Sequence, residues 1–162
     1  MPFKLAPRLA ASNYLGLQRY FLTICTRSRH QVFIEETVVG PVVSHLLATA
    51  RAQQFAALAF CLMPDHLHAL LEGLSDSANL PEFVRIFKQR TSFEWKRTSG
   101  VGLWQRSYFD RVLRPEEDTM LVAQYILANP VRAGLVKEPM EYPFLGSGTM
   151  DVRDLLESVR RT

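Results

Sequence analysis

A hydrophobic hairpin that carries two histidines constrains the fold of this chain more than any other feature. Residues 55–72 are typical of two strands joined by a Pro64-Asp65 turn. Because side chains on a strand alternate between its faces, His66 and His68 point to one side and Leu67 to the other. The spacing predicts that both imidazoles converge on one point, as two nitrogen ligands of a divalent metal do. By itself the pair is also typical of two half-buried strand histidines.

A short helix is predicted about sixty residues further along the chain. Acidic residues at 116–118 favour a helix N-terminus through the macrodipole, and Pro130 is predicted to end the helix. Tyr125 and Asn129 are four residues apart, so they lie on the same helix face. Two plainer interpretations remain open at this point: Tyr125 packs on Leu121 in the core, and Asn129 only caps the helix C-terminus.

The order of the predicted elements indicates the fold class. The patterns predict an α+β, ferredoxin-like βαββαβ fold with an antiparallel sheet. An added C-terminal helix carries Tyr125, and we expect one domain over residues 1–162, with an arm at 1–16 and a terminal helix at 150–162. The predicted strands are 18–26, 55–63, 66–72 and 103–114, and the predicted helices are 35–53 and 80–97.

Positive charge is concentrated in one part of the chain. Residues 85–114 have a net charge of +6, whereas the rest of the chain has −3, and 15 of the 19 cations are arginines. Such a block suits a polyanion, although a solvated helix face with scattered salt bridges is the competing interpretation. The predicted contacts with such a polyanion, DNA or another nucleic acid, are Arg85, Lys88, Lys96, Arg106, Arg111 and Arg114. The aromatic candidates for base stacking are Tyr14, Tyr20 and Trp104.

The apolar pattern and the cysteines indicate the cellular compartment of the protein. The longest apolar run, residues 55–63, is far too short to span a bilayer, so we expect no membrane association. The first eight residues lack the apolar stretch of a secretory signal. Cys25 and Cys61 both lie in strand-like apolar runs, which predicts buried free thiols and a cytoplasmic protein.

The histidine pair, the tyrosine-bearing helix and the cationic block together indicate phosphoryl transfer on nucleic acid. A phosphodiester is anionic and repels nucleophiles, so a divalent cation is needed to polarise its oxygens. A tyrosine hydroxyl that attacks the phosphorus keeps the energy of the broken bond in a phosphotyrosine ester. Another DNA end can resolve this ester without ATP, in agreement with the lack of a Gly-x-x-x-x-Gly-Lys-Ser/Thr phosphate loop in the sequence.

Three segments resemble a known family. Residues 63–71 (Met-Pro-Asp-His-Leu-His-Ala-Leu-Leu) are similar to the His-hydrophobic-His segment of the single-tyrosine HUH transposase superfamily. Residues 103–111 (Leu-Trp-Gln-Arg-Ser-Tyr-Phe-Asp-Arg) and 125–136 (Tyr-Ile-Leu-Ala-Asn-Pro-Val-Arg-Ala-Gly-Leu-Val) resemble its REP-associated tyrosine transposase branch. The similarity extends from about residue 19 to about residue 145.

The resemblance implies an activity and a site. It implies that Tyr125 is the nucleophile, that His66 and His68 are catalytic metal ligands for Mg²⁺ or Mn²⁺, and that Asn129 is the third ligand. Many members of the wider superfamily have the longer Gln in place of this Asn. The implied substrate is single-stranded DNA with a foldback hairpin, cleaved and rejoined through a 5′-phosphotyrosine intermediate that frees a 3′-hydroxyl. The implied oligomeric state is a monomer or a homodimer.

Three other functions compete with this interpretation. RNA-recognition domains share the βαββαβ order, but their third strand carries stacking aromatics, and residues 65–72 contain none. An unrelated metallohydrolase would use the histidine pair yet leave Tyr125 and the cationic block without a role. A catalytically silent hairpin-binding protein shares most of the same residues, and only an activity measurement separates it from the transposase.

Overall fold

The computed structural model describes residues 14–158, in which strands and helices build one antiparallel sheet with helices on both faces. Its strands are β1 (Arg19–Cys25), β2 (Phe55–Met63), β3 (His66–Gly73), β4 (Phe109–Val112) and β5 (Leu145–Gly146). Its α-helices are α1 (Glu36–Ala52), α2 (Leu80–Ser99), α3 (Thr119–Leu127), α4 (Asn129–Arg132) and α5 (Val152–Glu157).

The sheet confirms the predicted α+β class. Within the described residues its strand order is β4-β1-β3-β2-β5, and every neighbouring pair is antiparallel. β1, α1, β2, β3, α2 and β4 follow one another as the ferredoxin-like pattern requires, and the helix that carries Tyr125 is the predicted addition. β5, which pairs with Phe60 and Cys61 of β2, was not predicted. Two residues are too few to produce an alternation signal.

Aromatic packing fixes α1 and α2 to the sheet face opposite the histidines. Tyr20, Leu22 and Ile24 of β1 are fully buried on this face. The Tyr20 ring contacts Phe55 at a centroid distance of 6.2 Å, and Phe55 contacts Phe83 of α2 at 5.4 Å. Burying one large apolar side chain stabilises a fold by about 1.5–3 kcal/mol, so this layer supplies much of the stability.

The ends of α2 follow the expected capping rules. The Asn79 side chain accepts a hydrogen bond from the Glu82 backbone N–H at 3.1 Å, and Gly100 ends the helix in the left-handed conformation at φ 74°. None of the helices between residues 14 and 158 is both long enough and apolar enough to cross a membrane.

The predicted fourth strand is wrong in its length. Residues 103–114 were expected to form one strand, but β4 covers only Phe109–Val112, and Trp104 forms an isolated bridge with Thr26. The Trp104 indole is buried in the helix layer and donates a hydrogen bond to the Thr91 hydroxyl at 2.8 Å. Burying this ring takes the chain away from the sheet edge before it returns as β4.

The two predicted terminal segments lie partly outside the described residues. Residues 1–13 of the expected arm and residues 159–162 of the expected helix are not described. The described end of the arm is packed, because Tyr14 is buried against Tyr20 and Leu15 bridges Asn79. α5 forms within the predicted terminal helix, and the Asp151 side chain caps it by accepting from the Arg153 N–H at 2.8 Å.

We expect Gly73→Ala to lower the free energy of unfolding by about 1–3 kcal/mol, since the added methyl overpacks the end of β3. A Cβ at Gly73 would lie 1.9 Å from the Gly16 carbonyl oxygen, which is backbone and cannot rotate away. Urea unfolding measures the change.

Gly102→Ala is the matched control for this substitution. There the new methyl would meet only the flexible Arg27 side chain, at 3.7 Å, which is an ordinary van der Waals contact. If Gly73→Ala unfolds at the wild-type urea concentration, the proposed backbone contact does not close this end of β3.

Candidate active site

β3 brings the two predicted histidines together on the sheet face that α1 and α2 leave free. In register, His66 lies opposite Cys25 and His68 opposite Thr23 of β1. Leu67 is fully buried on the other side. The two Nε2 atoms are 3.1 Å apart, with ring centroids 4.6 Å apart. The alternation of the strand thus produces the expected convergence of imidazoles.

Each imidazole is held through its other ring nitrogen. His66 Nδ1 lies 2.7 Å from Asp65 Oδ1, and the other oxygen of this carboxylate accepts from Arg29 Nε at 2.9 Å. His68 Nδ1 lies 2.8 Å from the Thr23 hydroxyl. These contacts orient both Nε2 atoms toward the space between the rings, as the outer contacts of metal-binding histidines do.

The hydrogen bonds also select the tautomers. The Asp65 carboxylate accepts the Nδ1 proton of His66, so the Nε2 of that ring has a free lone pair. The Thr23 hydroxyl can donate to His68 Nδ1 or accept from it. His68 Nε2 can therefore either donate its proton to His66 or present a second lone pair, and Thr23 supports both states.

Burial keeps both rings neutral. The pKa of His68 is lowered to about 3, mainly by burial and to a smaller extent by the neighbouring His66 and the positive charges of Arg132 and Arg29. Burial also lowers the pKa of His66, although the Asp65 carboxylate opposes this change. For Asp65, burial raises the pKa, but hydrogen bonds from His66 and Arg29 outweigh it and the pKa falls below its usual value. At neutral pH the site therefore has a carboxylate and two uncharged imidazoles.

Asn129 completes the cluster from another element. Its Nδ2 lies 3.5 Å from His66 Nε2. The interpretation of Asn129 as the cap of α3 is wrong, because Ala128 ends that helix and donates its N–H to the Gln124 carbonyl. Within residues 14–158 no group of three or more His, Cys, Asp or Glu side chains is arranged to hold a metal ion. A third protein ligand beside the histidines would therefore be this amide.

Pro130 does not stop the chain from being helical, contrary to the prediction. α3 ends at Leu127, and after Ala128 the chain continues as α4, in which Pro130 occupies the first turn and is buried. Proline is tolerated there because its missing N–H has no helical partner. Asn129, which lies near His66, is the first residue of this second helix.

Tyr125 lies at the edge of this cluster and not in the core. Tyr125 is 39% exposed and Leu121 is 57% exposed, so the interpretation of a buried Tyr125–Leu121 pair is wrong. The Tyr125 ring contacts Phe21 at a centroid distance of 6.2 Å, and Phe21 contacts His68 at 5.3 Å. The Arg132 guanidinium carbon lies 3.8 Å from the centroid of the Tyr125 ring. The phenol is thus accessible and shares an aromatic neighbour with the histidines.

Comparison with known proteins identifies the family. A family model described as "Transposase IS200 like" matches residues 16–129, a range that includes the histidine pair, Tyr125 and Asn129. The chain belongs to the IS200-like transposase family. The elements described above, from β1 to the start of α4, are therefore those of an IS200-like transposase.

Named relatives and a solved structure agree with this assignment. The REP-associated tyrosine transposase of Escherichia coli is 26% identical over 136 residues, which cover 81% of this chain and 77% of that protein. The ISDra2 transposase TnpA of Deinococcus radiodurans is 29% identical over 105 residues, or 59% of this chain and 73% of that protein. A REP-associated tyrosine transposase solved with a bound REP hairpin has a TM-score of 0.72 and 21% identity, covering 96% of this chain and 86% of that one. The last similarity establishes the fold.

Two of the predicted DNA contacts of this IS200-like transposase form ion pairs within the protein. Arg85 Nη2 lies 2.6 Å from Glu82 Oε1, one turn away on α2. Arg111 Nη1 lies 2.6 Å from Glu117 Oε1, and Arg111 is opposite Phe21 in register, on the histidine face. Both guanidiniums are exposed, and exposed pairs are worth only about 0–1 kcal/mol, so a phosphate can compete for them.

The other four predicted contacts differ in whether their cationic groups form hydrogen bonds or ion pairs within the described residues. Lys88 donates to the backbone carbonyls of Gln105 at 2.6 Å and Arg106 at 3.0 Å, so its ammonium holds the loop before β4. Lys96, Arg106 and Arg114 are exposed, and none of the ion pairs found within residues 14–158 involves them. DNA binding by all six cations stays a prediction.

The predicted stacking aromatics are wrong. Tyr14, Tyr20 and Trp104 are 5%, 0% and 8% exposed, because all three pack in the layer between the sheet and its helices. A base cannot reach their ring faces. Cys25 and Cys61 agree with prediction, since both thiols are free and buried.

Sequence reasoning missed four residues that shape the site. Asp65 directly precedes His66 and Arg132 lies in the quoted segment 125–136, so both had a local signal. Thr23 and Arg29 had none, because their partners His68 and Asp65 are 45 and 36 residues away in the chain.

We expect Asp118→Ala to lower the free energy of unfolding by about 1 kcal/mol, because Asp118 caps the helix that carries Tyr125. Its carboxylate accepts from the Met120 N–H at 2.8 Å and from the Leu121 N–H at 3.3 Å. Glu116→Ala removes an exposed carboxylate just before the helix and is the matched control. Equal unfolding midpoints for the two variants in urea would contradict a capping role.

Proposed function

We propose that the chain cleaves and rejoins single-stranded DNA beside a hairpin, with Tyr125 as the nucleophile. The observation that carries this proposal is the cluster around His66 Nε2, where His68 Nε2 lies at 3.1 Å and the Asn129 amide at 3.5 Å, together with a partly exposed Tyr125 that shares the neighbour Phe21 with His68. Membership of the IS200-like transposase family supports it.

The three side chains fit a divalent cation, Mg²⁺ or Mn²⁺. Neighbouring ligands of an octahedral ion with bonds of about 2.1 Å lie about 3.0 Å apart, close to the 3.1 Å between the imidazole nitrogens. Rotation of the Asn129 side-chain amide presents its oxygen instead of its nitrogen, and these ions accept amide oxygens and imidazoles. When bound, the cation would polarise the scissile phosphate and offset the charge gained in the transition state.

Tyr125 supplies the covalent step. Its phenolic oxygen attacks the phosphorus and gives up its proton, and a 5′-phosphotyrosine ester forms. The bond from phosphorus to the 3′ oxygen breaks, and this oxygen takes up a proton as a free 3′-hydroxyl. A second 3′-hydroxyl can then attack the ester, which rejoins the DNA and restores the phenol without ATP.

The relatives support the choice of substrate. One is named a REP-associated tyrosine transposase, and the chain has the fold of such a protein solved with a REP hairpin. The exposed cations of α2, β4 and the loops that flank β4 suit sequence-independent contacts with a DNA backbone. We propose that the protein, as a monomer or a homodimer, binds a hairpin through these cations. This binding positions the flanking single strand at Tyr125.

A covalent-capture experiment tests the proposal. Purified protein is incubated with Mg²⁺ or Mn²⁺ and a library of single-stranded oligonucleotides that combine one hairpin with randomised stem and flanking nucleotides. We expect a protein–DNA adduct that survives denaturation, disappears with Tyr125→Phe and with a chelator, and falls at least about 100-fold with His66→Ala or His68→Ala.

Tyr14→Phe is the control for the nucleophile, because that hydroxyl belongs to the helix-covered side of the sheet. An adduct that persists in Tyr125→Phe would exclude Tyr125 as the nucleophile. If the wild type retains hairpins on a filter but forms no adduct in any library, the protein is instead a hairpin-binding protein without cleavage.

The carboxylate behind His66 gives a test that needs no DNA. We expect Asp65→Asn to weaken Mn²⁺ binding by about 10- to 100-fold, since the neutral amide no longer fixes the tautomer of the ring. Electron paramagnetic resonance of free Mn²⁺ gives the affinity. Asp76→Asn makes the same exchange on an exposed loop and should bind Mn²⁺ as the wild type does; equal affinities of the two variants would contradict the role of Asp65 in orienting His66 as a ligand.

A further inference from the structure

An arginine covers the ring of the proposed nucleophile. The Arg132 guanidinium carbon is 3.8 Å from the centroid of the Tyr125 ring, well within the range of about 6 Å in which a cation is attracted to an aromatic face. Arg132 is exposed, and none of the ion pairs within residues 14–158 involves it. The tyrosine ring is thus a main contact of this charge.

Arg132 lies at the end of α4, the turn that follows the helix of Tyr125. Arg132 follows Tyr125 by seven residues, and its backbone N–H donates to the Ala128 carbonyl at 3.0 Å, which closes the turn of α4. Pro130 anchors this turn in the core. Asn129 is at the start of this four-residue turn and lies near His66. Arg132 is at its end and lies over the Tyr125 ring.

We propose that Arg132 is a positioning residue that holds the Tyr125 phenol in its attacking orientation, an inference that rests on the function proposed above. Tyr125 is 39% exposed, so packing restricts its rotamer less than that of a fully buried tyrosine. Phe21 contacts the ring at 6.2 Å, and the guanidinium on the ring face supplies the second restraint. A nucleophile held close to its reactive geometry avoids part of the entropic cost of the reaction.

The chemistry of the arginine side chain predicts which replacement of Arg132 retains the restraint on the Tyr125 ring. A guanidinium is planar and weakly hydrated, so it stacks on a ring and remains charged at every accessible pH. A lysine ammonium keeps the charge but not the plane, and a glutamine keeps some of the length but not the charge. Arg132→Lys should therefore retain part of the restraint and Arg132→Gln should lose it.

The first test observes the tyrosine directly and needs no DNA. The full chain is labelled with 3-fluorotyrosine, and the ¹⁹F resonance of Tyr125 is the one that Tyr125→Phe removes. We expect this resonance to shift toward the position of an unstructured tyrosine in Arg132→Gln and to move less in Arg132→Lys. Arg51→Gln, at the end of α1 on the other side of the sheet, removes an exposed arginine and should leave the resonance in place.

The second test separates positioning from DNA binding. With an oligonucleotide that the wild type captures, we expect Arg132→Gln to slow single-turnover adduct formation at saturating DNA by about 2- to 30-fold, the range that corresponds to one cation–π contact. The dissociation constant for the same DNA should stay within about twofold of wild type, and Arg132→Lys should recover part of the rate.

The two readouts make the outcomes distinct. An unchanged ¹⁹F resonance in Arg132→Gln overturns the inference, and so does a loss of DNA affinity as large as the loss of rate, which would make Arg132 a phosphate contact. Absence of any adduct with the wild type contradicts the proposed function, whereas the ¹⁹F shift still decides whether Arg132 restrains the ring. Thermal unfolding of each variant verifies that it is folded.

Discussion

The register between β1 and β3 determines where every functional side chain lies. With Thr23 opposite His68 and Cys25 opposite His66, both imidazoles and their hydroxyl partner share one face of the sheet. A slip of one residue would turn the histidines into the aromatic layer and Leu67 to the face on which Tyr125 lies. The buried residues of β1, led by Tyr20 and Leu22, oppose such a slip, because each would have to leave its packed position beneath α1 and α2.

The local patterns predicted the parts of the site that a single element builds. Strand alternation was sufficient to bring His66 and His68 together, and the apolar and cationic arcs of the sequence were sufficient to delimit α2. The approach of Asn129 to His66 was predicted only through resemblance to a family. Helical spacing alone would place Asn129 one turn beyond Tyr125 in a continuous helix, and the structure breaks that helix at Ala128.

The contacts that the sequence did not predict join residues far apart in the chain. The fourth strand is shorter than predicted because Trp104 is buried against Thr91. The strand propensity of residues 103–114 is a local property, so it could not predict this contact with α2. The same holds for Thr23 behind His68. Aromatic residues were misjudged for a related reason: composition alone does not tell a ring that packs in a core from one that stacks on a base, and only burial separates Tyr14 from Tyr125.

Mutations on the two sides of the sheet are expected to have different effects on the protein. The aromatic layer beneath α1 and α2 holds the molecule together, whereas Tyr125 is partly open to water and contributes little to that layer. We therefore expect a mutation that replaces the Tyr125 phenol by another ring to leave the protein folded, and a folded protein is less subject to proteolysis in the cell. Under the function proposed here, lineages that lose transposition would keep a persistent copy able to occupy the same hairpins and compete there with active relatives.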